Sequence, residues 1–209
     1  RKCPMLGPKP LGWSLTLMFP GMALWIGLMI VAGMFDAETT SEQIKALSKD
    51  GMATLPSLLL LVGSITWVVA SVGLISWARG LSGEDRLGLS TFGLVFVLVG
   101  ITASIVSNGM FFVAGEAAAA GETTLAATAL ELWGAVDWWG SITWILGAFL
   151  IAVTALQQKA ANTIIVALMA LGAAVGFIAQ FPGLEELGLA GYPMTGLAIS
   201  ALGIQKLRA

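Results

Sequence analysis

The sequence predicts an all-α integral membrane protein with six transmembrane helices, arranged as three helical hairpins. Three observations predict this fold: long apolar stretches recur along the chain, the charge of the connecting segments alternates, and one five-residue motif occurs twice. Apolar residues make up 57% of the 209 residues and charged residues only 11%, and the mean hydropathy is +0.91. A soluble domain is about one quarter charged. We therefore expect the bilayer, and not water, to be the main solvent of this chain.

The apolar stretches divide the chain into six predicted spans. A hydrocarbon core of about 30 Å needs roughly 20 apolar residues per crossing, so six crossings account for most of the length. The whole chain, 1–209, is then a single polytopic domain. The predicted spans are 11–33, 55–77, 89–113, 134–156, 162–181 and 187–204, and the hairpins are approximately 11–78, 88–157 and 162–206. Pro20 and Gly21 together predict a kink in the first span.

The connecting segments alternate in charge. Basic residues occur before the first span and after every second span: Arg1, Lys2, Lys9, Arg79, Arg86, Lys159, Lys206 and Arg208. The alternate segments are mainly acidic, and Lys45 and Lys49 are outnumbered there: Asp36, Glu38, Glu42, Asp50, Glu116, Glu122, Glu131, Glu185 and Glu186. By the positive-inside rule, this pattern predicts that both termini are cytoplasmic.

Two of the predicted outer loops contain helix signals. Thr39 or Thr40, followed by Glu42 or Gln43, matches a capping box, and Gly51 is suited to end the turn. We therefore expect a short interfacial helix in the first outer loop, with Ile44 and Leu47 on one face. In the second loop, an alanine run breaks at Gly121, and Thr123 or Thr124 is suited to cap a helix that continues into the fourth span.

An internal repeat relates the first two hairpins. The motif Gly-Ser-Ile-Thr-Trp occurs at 63–67 and again at 140–144, and Gly-Met-Phe occurs at 33–35 and at 109–111. The two motifs are 30 residues apart in the first copy and 31 in the second, so both matches share one register. Such self-similarity is typical of a repeated structural unit. We expect the first two hairpins to be duplicated with parallel topology, and 162–206 to be a diverged third hairpin.

The repeated motif supplies the first candidate site. Its hydroxyls could form a polar site or pathway between the hairpins, with the two tryptophans as walls: Ser64, Thr66, Ser141, Thr143, Trp67 and Trp144. The alternative is helix packing, in which small residues allow close approach and hydroxyls bond to their own helix.

A stripe of small and polar residues on the third span shares one helix face and has the same two interpretations: Gly100, Ser104, Ser107 and Asn108. We expect Asn108 to face the bundle, because an amide in lipid needs a partner. Gly172 and Gly176 form a GxxxG packing pattern.

Acidic residues supply the second candidate site. Asp137 lies beside Trp133, Trp138 and Trp139, and tryptophans concentrate at membrane interfaces. Anchoring at the headgroup level is the favoured interpretation, and a proton-linked or cation-attracting role for Asp137 or Glu116 is the alternative. Cys3, among basic residues, is interpreted as an unmodified thiol, with acylation as the alternative.

The composition argues against several classes of function. The chain has no histidine and one cysteine, so the commonest ligands of metals and the usual nucleophile pairs are missing. We therefore expect no metal, no cofactor and no enzymatic activity. A formal net charge of −2 argues against a nucleic-acid partner.

Two functions remain from the sequence. The favoured one is a structural or accessory subunit of a larger membrane complex, because small residues are abundant and embedded charge is scarce. Its partners would be the lipid bilayer and other membrane subunits, or further copies of the chain. The alternative is a transporter or channel for a small, largely uncharged solute, which the repeat favours because many transport folds are duplicated.

Overall fold

The computed structural model describes residues 6–34, 36–50, 52, 54–83 and 87–208. The protein is all-helical, with 85% helix and no strand in the part of the chain that is described. The helices are α1 (Pro8–Thr16), α2 (Met18–Val31), α3 (Thr40–Asp50), α4 (Thr54–Leu81), α5 (Leu89–Ala119), α6 (Thr123–Gln157), α7 (Thr163–Ile178) and α8 (Gly188–Arg208), with a 3₁₀ turn at Glu185–Leu187.

Four helical segments are long and apolar enough to cross a membrane: Pro8–Val31, Leu55–Leu81, Leu89–Ala119 and Thr123–Gln157. The apolar helix α7 has only 16 residues, or about 24 Å of helix, which is less than the hydrocarbon thickness. Helix α8 is not among the four segments. Length and composition therefore support a multi-pass membrane protein, but the six-span hairpin arrangement is not confirmed.

Pro20 explains the interruption of the first apolar segment. Proline has no N–H to donate to the carbonyl of Thr16, and its ring crowds that carbonyl, so α1 ends at Thr16 and α2 begins after Leu17. The hydroxyl of Ser200 in α8 bridges this break. It donates to the Thr16 carbonyl at 3.0 Å and accepts from the Phe19 amide at 2.9 Å. The helix is therefore interrupted one turn before the proline, in the region where the sequence predicts a kink.

Helices α5 and α6 cross at very short range through glycines. A Cβ on Gly147 would lie 2.7 Å from the carbonyl oxygen of Gly93 and 2.7 Å from the amide nitrogen of Val97. About two turns further along α5 toward Ala119, a Cβ on Gly100 would lie 2.8 Å from the carbonyl oxygen of Gly140. We name the contact of Gly93, Gly100, Gly140 and Gly147 the glycine crossing.

The predicted GxxxG pattern also packs one helix against another. A Cβ on Gly172 would lie 2.8 Å from the amide nitrogen of Thr195, and Gly191 of α8 lies directly against Gly176. Small residues allow this approach, as expected for helices packed in lipid. Helices α7 and α8 therefore form an antiparallel pair.

Helix α3 has the cap that the sequence predicts. The Glu42 amide donates to the Thr39 hydroxyl at 3.3 Å, and the Glu42 carboxylate accepts from the amides of Thr39 and Glu38, each at 3.0 Å. The hydrogen bond from the Thr39 amide is the main cause that lowers the pKa of Glu42 below 4.5. Leu47 is 1% exposed and belongs to an apolar cluster with α5 and α6. Gly51 lies outside the described residues.

The basic and acidic segments lie at opposite ends of the bundle. Contacts of Gln158 with Leu81, of Asn162 with Gln205 and of Leu6 with Ser76 bring together the helix ends that carry the following basic residues: Lys9, Arg79, Lys159, Lys206 and Arg208. We name this the basic end. The connections α2 to α4, α5 to α6 and α7 to α8 lie at the opposite, acidic end. Arg1, Lys2, Cys3, Phe35 and Arg86 lie outside the described residues.

Candidate functional site

A cavity of about 560 Å³ lies near the acidic end, where α2, α4, α5, α6 and α8 converge. Its walls combine apolar, aromatic and polar side chains. The lining residues are Gly21, Met22, Trp25, Ile26, Gly63, Ser64, Trp67, Ser104, Asn108, Gly134, Asp137, Trp138, Ser141, Gln180, Gly188, Leu189, Tyr192 and Pro193. Cavities of about 300–1,000 Å³ with a few placed polar groups are typical of small-molecule sites. We name it the central cavity.

Helical spacing brings the polar residues of α5 and α6 to the central cavity. On α6, Asp137 and Ser141 are four residues apart and therefore share a face. On α5, Ser104 and Asn108 have the same spacing. The Asn108 side-chain amide donates to the Ser64 hydroxyl of α4 at 2.9 Å. Asn108 thus faces the bundle and joins α5 to α4.

The two copies of the repeated motif meet at this cavity. Ser64 and Ser141 both line it, and the ring centroids of Trp67 and Trp144 lie 4.6 Å apart. Each motif glycine packs against the long apolar helix that precedes it in the chain: Gly63 lies against α2, and Gly140 lies against α5. The motif therefore has one packing side and one side that faces the other copy.

The motif threonines do not line the central cavity. The Thr66 hydroxyl donates to the Val62 carbonyl at 2.6 Å, and the Thr143 hydroxyl donates to the Trp139 carbonyl at 2.8 Å. Both bonds lie within one helix, which is the usual arrangement of threonine in apolar helices. The packing interpretation thus describes the threonines, whereas the serines belong to the cavity.

The motif tryptophans occupy different environments. Trp144 is 1% exposed and lies behind the cavity wall, where its indole N–H donates to the Ser71 hydroxyl at 3.1 Å. Trp67 forms part of the wall itself. Its indole nitrogen is buried and has no hydrogen-bond partner in the described part of the chain. Of the two predicted aromatic walls, only Trp67 contacts the cavity.

The two acidic candidates lie in different places. Asp137 is half-buried in the cavity wall, where its carboxylate accepts from the Ser107 hydroxyl at 3.2 Å. Glu116 is exposed and does not line the cavity. The neighbouring tryptophans also separate, since Trp138 lines the cavity whereas Trp139 is 62% exposed on the outer surface of the bundle.

Gln180 and Tyr192 are cavity residues that the sequence analysis did not select. The Gln180 side-chain amide donates to the Tyr192 hydroxyl at 2.8 Å and to the Gly176 carbonyl at 3.3 Å. The Ser141 side chain also hydrogen-bonds with Tyr192. The available signal was that Tyr192 is the single tyrosine of the chain and stands beside Pro193 in an apolar segment.

The bundle is closed between the central cavity and the basic end. Immediately below the cavity lies the pair of Trp67 and Trp144. Further along α6, Ile145, Ala148 and Ile151 are each 0% exposed. In this conformation the cavity therefore does not continue through the bundle.

No group of three or more His, Cys, Asp or Glu residues in the described ranges is arranged to hold a metal ion. Compared with known proteins, the chain matches no family model, no curated protein and no solved structure.

Proposed function

We propose that this protein binds a small solute within the membrane and takes part in its passage. The observation that carries the proposal is the central cavity, because polar side chains from four helices converge there inside an otherwise apolar bundle. Placing such polar groups within the bilayer costs free energy, and they commonly mark substrate pathways.

The proposal includes the topology of the chain. We propose that α7 and α8 complete six crossings, that the first two hairpins are duplicated, and that the basic end lies in the cytoplasm. Charge supports this orientation, because the described basic residues outside α3 lie at the basic end. The cavity then opens nearer the outer surface, and passage requires rearrangement of the tryptophan pair that closes it.

Flux through liposomes tests the role of the cavity. The double variant Ser64→Val, Ser141→Val adds apolar bulk on both sides of the cavity, so we expect flux of a transported solute to fall by at least tenfold. The matched control is Thr66→Val, Thr143→Val, which changes the same motif at hydroxyls that bond only to their own helices. Equal flux of wild type and both variants across a broad solute panel would contradict the proposal.

Cysteine labelling tests the topology. In a Cys3→Ser background, single cysteines at Glu122 and Lys159 should react with an impermeant thiol reagent from opposite sides of the membrane. Reaction from one side only would refute the proposed orientation of the helices.

Gentle solubilisation tests the accessory-subunit function, which predicts that fixed partners co-purify in stoichiometric amounts.

A further inference from the structure

We propose that the ligand of the central cavity is a small organic cation, a protonated amine with an apolar substituent. The inference rests on the proposed function, since it names the class of solute. Three features of the cavity carry it: a carboxylate without an ion-pair partner among the described residues, two side-chain amide oxygens that accept no hydrogen bond there, and a set of aromatic walls.

The charge of the cavity comes from one residue. Asp137 is the single acidic residue among the lining residues, and none of them is lysine or arginine. In the described part of the chain, its carboxylate accepts from the Ser107 hydroxyl and has no ion-pair partner. Ionisable groups within membrane segments are usually paired. A cationic ligand would supply the missing partner and make the bound site neutral.

Several side-chain donors around the cavity are already used within the protein, and the buried indole N–H of Trp67 is an exception, without a partner among the described residues. The hydroxyl of Ser64 donates to the Leu60 carbonyl, and that of Ser104 donates to the Gly100 carbonyl. The side-chain amide of Asn108 donates to Ser64, and that of Gln180 donates to Tyr192.

The hydrogen-bond acceptors of the cavity side chains have few donors in the described part of the protein. The amide oxygens of Asn108 and Gln180 accept no hydrogen bond from the described residues, and the Asp137 carboxylate has one donor. The cavity therefore offers acceptors to a ligand, and an ammonium group with several N–H donors matches them. An anion would instead meet the Asp137 carboxylate, the single charged group among the lining residues.

The aromatic walls suit the rest of such a ligand. Trp25, Trp67, Trp138 and Tyr192 all line the cavity. Aromatic faces attract organic cations through their quadrupole, most strongly where water is excluded. They also contact an apolar substituent. A bare metal ion would use neither property, and the site has no second acidic side chain to coordinate one.

Binding of benzylammonium and of neutral benzyl alcohol to the full chain in nanodiscs tests the inference. The change in tryptophan fluorescence is measured at pH 7, and empty nanodiscs serve as the blank. We expect benzylammonium to bind at least tenfold more tightly than the alcohol, and benzoate not to bind. Asp137→Asn should lose at least tenfold in affinity for benzylammonium and little for the alcohol. The control is Glu131→Gln, an exposed carboxylate on the same helix, which should leave both affinities unchanged.

The wild-type comparison of the three probes does not depend on how any variant folds. Equal binding of benzylammonium and benzyl alcohol would overturn the inference while the proposed function stands. Displacement of benzylammonium by sodium chloride, but not by choline chloride at equal ionic strength, would also overturn it, because the site would then be one for an inorganic cation. If no probe binds and the cavity variants leave flux unchanged for every solute, the proposed function fails as well.

Discussion

The glycine crossing and the central cavity share helices α5 and α6 but differ in what fills the space between helices. At the crossing, the absence of side chains on Gly93 and Gly147 lets the two backbones touch. Near the acidic end, Asp137 and Asn108 stand on the same two helices with open space before them. One pair of helices thus supplies a tight contact and a cavity wall. The comparison teaches that side-chain size along a helix decides where a membrane bundle is closed and where it is open.

The largest expected effect comes from adding one methyl group at the crossing. Gly147→Ala would place its Cβ 2.7 Å from backbone atoms of α5, whereas Gly134→Ala on the same helix meets nothing within 4 Å. Both changes gain the same helix propensity. Their difference therefore isolates the packing, and we expect Gly147→Ala to be about 1–3 kcal/mol less stable. Thermal unfolding in detergent measures it, and equal melting temperatures would contradict the tight contact.

An intermediate effect is expected at the tryptophan pair that closes the cavity. Trp144→Phe removes the partner of the Ser71 hydroxyl and should cost about 1 kcal/mol. Trp67→Phe removes the same ring volume but an indole N–H that has no partner among the described residues, so it should destabilise the protein less than Trp144→Phe does. The free energies of unfolding of both variants and of the wild type, measured by denaturation, give the comparison. Greater destabilisation by Trp67→Phe than by Trp144→Phe would contradict the absence of a partner for this N–H.

The smallest effect is expected at the cap of α3, outside both regions. Because the pKa of Glu42 is lower in the folded protein than 4.5, its stabilisation is present above pH 4.5 and is lost as the pH falls through the lower, folded pKa. We expect faster hydrogen exchange at the amides of Glu38 and Thr39 at low pH, after correction for intrinsic rates. Glu42→Gln should show no such pH dependence; an equal dependence in that variant would assign the effect to another group.

Much of the secondary structure could be predicted from the sequence, because in lipid each backbone must satisfy its own hydrogen bonds. Thr39 and Glu42 predicted the start of α3, and Gly121, with φ +79°, ends the turn after α5 as expected. Helix faces were harder to assign. Lipid and protein interior are equally apolar, so periodicity does not show which face a residue such as Trp144 presents to its neighbours.

The sequence by itself determined the membrane class, most helix boundaries and the separation of basic from acidic segments. It also predicted that Ser64 and Ser141 occupy equivalent positions of a repeat. Only the tertiary structure decided that these serines share a cavity with Asp137, that Thr66 and Thr143 do not, and that Gln180 and Tyr192 do. The reason is physical: a cavity is formed by the distances at which helices cross, and side chains distant in sequence fix those distances.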